Sequence, residues 1–135
     1  MSADRTHEYS VSLDIASGSV TLAELGRVLA VEGGAGSHER GDPHPVRGPL
    51  PGALLRIASS AAPGEGLALH LRSITESFPP ERLAALARYG GEVTWSFRVG
   101  VFFETATCTV PIDAGSLEIL GRYGGAVEIV AYPCE

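Results

Sequence analysis

Leu83-Ala84-Ala85-Leu86-Ala87-Arg88-Tyr89-Gly90-Gly91-Glu92-Val93 returns thirty-four positions later as Leu117-Glu118-Ile119-Leu120-Gly121-Arg122-Tyr123-Gly124-Gly125-Ala126-Val127. In both copies leucines at helical spacing precede a Gly pair, and an apolar run follows it. A Gly pair supplies the left-handed residue that ends a helix and turns the chain toward a strand. Helix, stop and strand are thus written twice, which sets an α+β reading. After the first copy Val93, Trp95, Phe97, Val99, Val101 and Phe103 alternate with Thr94, Ser96 and Arg98. This is the longest period-two run, and it is expected at the centre of a sheet. After the second copy Val127, Ile129 and Ala131 mark the last strand, with Asp113 placed to cap the helix before it.

Upstream, Tyr9, Val11, Leu13 and Ile15 alternate with Ser10, Ser12 and Asp14 as a first strand. Thr21-Leu22-Ala23-Glu24 is a capping box flanked by a Val20–Leu25 staple, so a helix starts there with Leu22, Leu25, Val28 and Leu29 on one face. Gly33-Gly34 is expected to end it like the two later copies. Leu54 to Ser59 forms a short strand, expected at an edge. Leu67, Leu71, Ile74 and Phe78 predict a helix over 65–77 that Pro79-Pro80 stops. Thr105 to Val110 either continues the long strand past a bulge or folds back as a hairpin. With the middle helices set aside the order is βαββαβ. The expected fold is ferredoxin-like (split βαβ): an antiparallel sheet, helices on one face, and an extra helix before the central strand.

At 135 residues and 44% hydrophobic content the chain is expected to fold as a single α+β domain over 1–135. No apolar run approaches the roughly 20 residues that span a bilayer. The first residues lack a charged segment followed by an apolar one, so the cytoplasm is the expected compartment. Ten arginines and no lysine stand against sixteen carboxylates, a formal charge of −6. That balance argues against tracking nucleic-acid phosphates. Cys108 and Cys134 form no CxxC pattern and are read as free thiols.

Tyr9-Ser10-Val11-Ser12-Leu13, the Thr21-to-Leu29 helix, Gly41-Asp42-Pro43, Leu69-His70-Leu71 and the Val127-to-Tyr132 strand together resemble the small bacterial proteins of the domain of unknown function 4279 family. The resemblance runs over nearly the whole chain and rests on core and turn positions. It implies an immunity-type or other protein-binding module and carries over no catalytic residue. Where that family has a Trp in its second strand, this chain has Leu54-Leu55.

Candidate sites are few. Residues 33–52 are rich in Gly and Pro and too long for a plain connection, and such loops commonly carry recognition. His38, Arg40, Asp42 and His44 are the candidate binding residues there. His38, Glu39, Asp42 and His44 also offer metal-ligand chemistry, but a Gly/Pro loop loses much entropy on ordering, so no metal is assigned. On the sheet face away from the helices, Arg56 and Arg98 are candidate contacts among Ser10, Ser12, Asp14, Thr94, Ser96 and Glu128. Phe102 and Tyr132 are the only aromatics there, too few for the base-stacking platform of an RNA-binding sheet. Arg88-Tyr89 and Arg122-Tyr123 are accounted for by helix-end electrostatics. The expected function is a non-enzymatic protein-interaction module, for which the resemblance implies an immunity protein, without cofactor, acting on a protein partner or as a homodimer. The alternative is a small-molecule-binding or enzymatic domain with a pocket between sheet and helices lined by Trp95, Phe97 and His70.

Overall fold

The computed structural model describes residues 7–134, and Arg5 and the other N-terminal positions lie outside them. Four strands, β1 (Glu8–Ser17), β2 (Ala53–Ala58), β3 (Val93–Phe103) and β4 (Ala126–Pro133), form one sheet in the order β2-β1-β3-β4. β3 is the longest and lies inside the sheet, and β2 is an edge. The helices are α1 (Leu22–Leu29), α2 (Leu67–Ser77), a 3-10 segment (Pro80–Glu92) and α3 (Ala114–Tyr123).

The sheet is mixed rather than antiparallel. β1 pairs antiparallel with β2 and β3, while β3 and β4 run parallel, Ser96 beside Ala126 through Phe103 beside Pro133. In a split βαβ fold the first helix delivers the chain to the far end of the sheet. Here α1 has eight residues, a rise of about 12 Å. The following stretch 30–52 brings the chain back, so β2 starts with Ala53 opposite Ser17, the last residue of β1. β3, α3 and β4 make the single strand–helix–strand crossover that a parallel pair requires. Residues 104–113 neither extend β3 nor fold back as a hairpin.

The core is one cluster between sheet and helices. Leu13, Ile15, Leu55, Phe97, Val99 and Val101 from the strands meet Leu25, Leu29, Leu71, Ile74 and Phe78 from the helical layer, all nearly inaccessible. At β4 the cover thins: Val127 and Ile129 remain 41% and 45% exposed although they continue the Phe97–Val99 face.

The doubled motif folds in two ways. In the first copy Pro80, Leu83 and Leu86 are the buried residues. They recur every third position, the period of a 3-10 helix. In the second copy Ser116 and Tyr123 are buried with Ile119 and Leu120 partly so, which is α-helical spacing. Gly124 adopts φ 75° as the cap of α3, whereas Gly90 at φ 58°, ψ −133° kinks the 3-10 segment before its end at Glu92.

The expected third use of that stop is corrected. α1 ends at Leu29, and the left-handed cap is Ala30 at φ 57°, ψ 48°. Gly33-Gly34 lies further on, where the Gly34 N–H donates to the Arg56 carbonyl at 2.9 Å. A left-handed L-residue is strained by about 1–2 kcal/mol. Ala30→Gly is therefore expected to stabilise the chain by about 0.5–1 kcal/mol after its extra unfolded-state entropy. A urea midpoint that fell in this variant would contradict the assignment.

Candidate functional site

The face of the sheet away from the helices carries β1 Asp14 between β2 Arg56 and β3 Ser96, with β3 Arg98 beside β4 Glu128. It is not an open surface. Ser12 and Asp14 are only 7% and 8% exposed, and Gly36, His38, His44, Arg47 and Leu50 line a hollow with Asp14 at this end of the sheet.

That loop is an ordered structure. His38 bridges Leu54 by paired backbone hydrogen bonds of 2.9 and 2.8 Å, lengthening the edge at β2. Gly41 and Asp42 bond Leu50, and His44 and Gly48 exchange both backbone bonds, so 41–50 closes as an irregular hairpin with Pro45-Val46-Arg47 at its tip. Nδ1 of His44 accepts the Val46 and Arg47 N–H groups at 3.2 and 3.1 Å. The Glu39 carboxylate accepts the Leu22 N–H at 2.9 and 3.1 Å, tying the loop to the positive first turn of α1. Thr21 meanwhile caps that helix through Glu24 N–H.

Loop and sheet enclose a cleft of about 590 Å³ lined by Asp14, His38, His44, Arg47, Arg56, Ser96, Arg98 and Glu128. A second hollow of about 450 Å³ adjoins it over Leu50, Pro51, Ala53 and Leu54, and His38 and Arg47 line both. Arg56 holds Asp14 bidentately, Nε to Oδ1 at 2.9 Å and Nη2 to Oδ2 at 2.8 Å, while Ser12 Oγ donates to Oδ1 at 2.8 Å. The hydrogen bonds to Asp14 raise the Arg56 guanidinium further above its ordinary value, against the cost of burial. Arg98 donates to Glu128 at 3.0 Å and to the Tyr132 hydroxyl at 3.1 Å. Phe102 and Tyr132 stack on one another at 4.8 Å beyond it, each using a ring face on the other.

Four of the six candidate residues, His38, His44, Arg56 and Arg98, come together in the cleft. Arg40 and Asp42 do not. Arg40 Nη1 donates to the Gly18 carbonyl at 2.9 Å, and Asp42 Oδ2 accepts the Glu39 N–H at 2.8 Å, so both hold the loop in shape. The metal grouping is likewise divided, since Glu39 serves the α1 terminus; among the described residues no three His, Cys, Asp or Glu side chains converge as ligands. Arg47 and Asp14 belong to the cleft and were not singled out. The hairpin closure that brings Arg47 inward involves main-chain bonds that no residue spacing announces.

On the helix side a hollow of about 630 Å³ lies along α1, lined by Leu22, Gly26, Arg27, Val31 and Leu55, and Trp95, Phe97 and His70 are not in its lining. Phe97 packs edge-on to Tyr123 at 5.0 Å, the Tyr123 hydroxyl donates to the Phe78 carbonyl, and Trp95 Nε1 donates to the Tyr123 carbonyl at 2.8 Å. These contacts join Trp95, Phe97 and Tyr123 into one packed group. His70 is 2% exposed, its Nδ1 lying 2.8 Å from Ser59 Oγ. Ser59 Oγ also accepts the Ala61 N–H at 3.0 Å, so this pair latches a turn. Nε2 of His70 reaches no partner in hydrogen-bonding geometry, although the carbonyls of Ala62, Glu65 and Pro63 lie toward the ring.

Burial lowers the His70 pKa below its ordinary 6.5, outweighing those carbonyls and Glu65. The unfolded chain then binds the extra proton first, so stability is full above about pH 6.5 and falls as pH drops through the window below it. Between about pH 7 and about pH 5 the wild-type urea midpoint is expected to fall more steeply than that of His70→Leu. Equal slopes would remove His70 as the cause. Asp113, lowered by its hydrogen bonds to Ser116, loses its contribution only below its ordinary 3.8 and does not confuse the window.

Cys108 is half-buried against the core and Cys134 exposed; neither is in a disulfide. Among the described residues no helix is long and apolar enough to cross a membrane. Comparison with protein-family models, with curated proteins and with solved structures finds no match to this chain.

Proposed function

We propose that the chain is a non-enzymatic, cytoplasmic protein-interaction module, of the immunity type implied by its resemblance to the domain of unknown function 4279 family, and that it meets its partner through the cleft face. The observation that carries this reading is the loop 36–50, secured at Leu54, Leu50 and the α1 terminus, standing over a charged sheet face with Val46 88% exposed at its tip. A recognition loop on a rigid scaffold is the usual place for binding residues. Its groups are pre-positioned by one another, which lowers the ordering cost of association. The Ser59–His70 contact supports no hydrolytic alternative, because the histidine is sealed beneath the surface and the serine hydroxyl is engaged in its own turn.

Co-purification from native lysate, with the wild type beside Val46→Asp and Leu69→Asp, tests this. A partner retained by wild type and Leu69→Asp but lost by Val46→Asp is the expected outcome. Equal retention by all three, or a lone wild-type chain, would contradict it.

A further inference from the structure

We infer that the cleft takes an oxyanion, a carboxylate or phosphate group, with Arg47 as the anchoring cation and His44 and Arg56 as supporting donors. This rests on the cleft being the binding surface and names the chemistry it selects. Three guanidinium groups, Arg47, Arg56 and Arg98, line the cleft with two carboxylates, Asp14 and Glu128. Both carboxylates are already engaged: Asp14 by Arg56 and Ser12, Glu128 by Arg98. Arg47 makes no ion pair and no side-chain hydrogen bond among the described residues. One cation is left over.

Two further donors there are unspent. Arg56 uses Nε and Nη2 on Asp14, leaving Nη1 without a protein partner beside Gly36. Gly36 sits at φ +92°, and a Cβ there would stand 2.6 Å from Nη1, so a larger residue would press on the guanidinium. His44 accepts two backbone N–H groups on Nδ1, which requires a lone pair there and places the ring proton on Nε2 as a donor. Surplus donors with no free carboxylate to match them select an acceptor-rich group. The planar guanidinium matches carboxylate and phosphate in two-point contacts. The adjoining hollow over Leu50, Pro51 and Ala53 shares His38 and Arg47 with the cleft and suits an apolar stem behind the anionic head.

The test is an NMR titration of the full chain, following backbone amides and arginine Nε, with inorganic phosphate and separately with acetate and an N-acetyl-aspartyl peptide. Saturable shifts at 44–48 and at the Arg47 and Arg56 Nε groups are expected. In Arg47→Gln the affinity should fall at least about tenfold, or about 1.4 kcal/mol, while Arg72→Gln on α2 leaves it unchanged. Binding of phosphate alone identifies a free phosphate or phosphoester ligand; binding of the peptide as well places the group on a protein. Absence of saturable shifts with every probe, or shifts that persist in Arg47→Gln, would overturn the inference. Partner capture that is lost in Val46→Asp yet unaffected by Arg47→Gln would overturn the oxyanion chemistry and leave the surface assignment standing. Anion shifts without any captured partner would do the reverse.

Discussion

Truncating Tyr123 to alanine is expected to cost about 3–5 kcal/mol, the range for removing a buried aromatic ring, and a large share of a typical domain's 5–15 kcal/mol. Tyr123 is 2% exposed at the end of α3. Its ring meets Phe97 edge-on, its hydroxyl serves the Phe78 carbonyl at the end of α2, and its own carbonyl receives Trp95 from β3. One residue therefore joins α2, α3 and the central strand, and its loss opens a cavity among elements that cannot all collapse into it. Tyr123→Phe keeps the ring and removes the hydroxyl, leaving a buried carbonyl without its donor, at about 1 kcal/mol. Urea denaturation of the two variants separates packing from the hydrogen bond. A loss below about 1 kcal/mol for Tyr123→Ala would contradict the latch.

The second large effect is expected at Arg56. Removing one partner of a buried ion pair costs about 3–5 kcal/mol because the other charge is stranded; with the Arg56 side chain 29% exposed, the expected loss for Arg56→Ala is nearer 2–3 kcal/mol. Asp14, whose side chain is only 10% exposed, would keep the Ser12 hydroxyl alone. Arg56→Lys keeps the charge but not the two-point contact, so it should fall between wild type and alanine. The double variant Asp14→Leu/Arg56→Met removes both charges and should recover most of the loss. Losses that simply add would show that the two residues act independently, contrary to their geometry.

The strands, the Thr21 and Asp113 caps and the Gly124 stop were legible because each depends on near neighbours in sequence. Alternation placed β1 and β3, Thr21 and Asp113 cap where their spacing says, and Gly124 ends α3. The sheet order was not legible: whether the chain crosses the sheet or returns after α1 is decided by the path of 30–52, whose Gly and Pro residues have no periodicity to read. The same limit hid the cleft. His44 and Arg98 are distant in sequence, and they share a surface only because Glu39 finds the α1 terminus and His38 finds Leu54. The tyrosines of the doubled motif were underread for a related reason. Position in the last turn explains Arg122, but Tyr123 turns inward to the core, whereas Tyr89 reaches across to the Glu24 carboxylate.

The cleft face as the partner-binding surface is tested most directly by hydrogen–deuterium exchange on the chain alone and with its captured partner. Slowed exchange of the amides across 36–50 and at Ser96 to Arg98, with α2 and α3 unchanged, is the predicted footprint. Protection confined to the helices or to the outer edge of β4, with 36–50 exchanging as in the free chain, would contradict it.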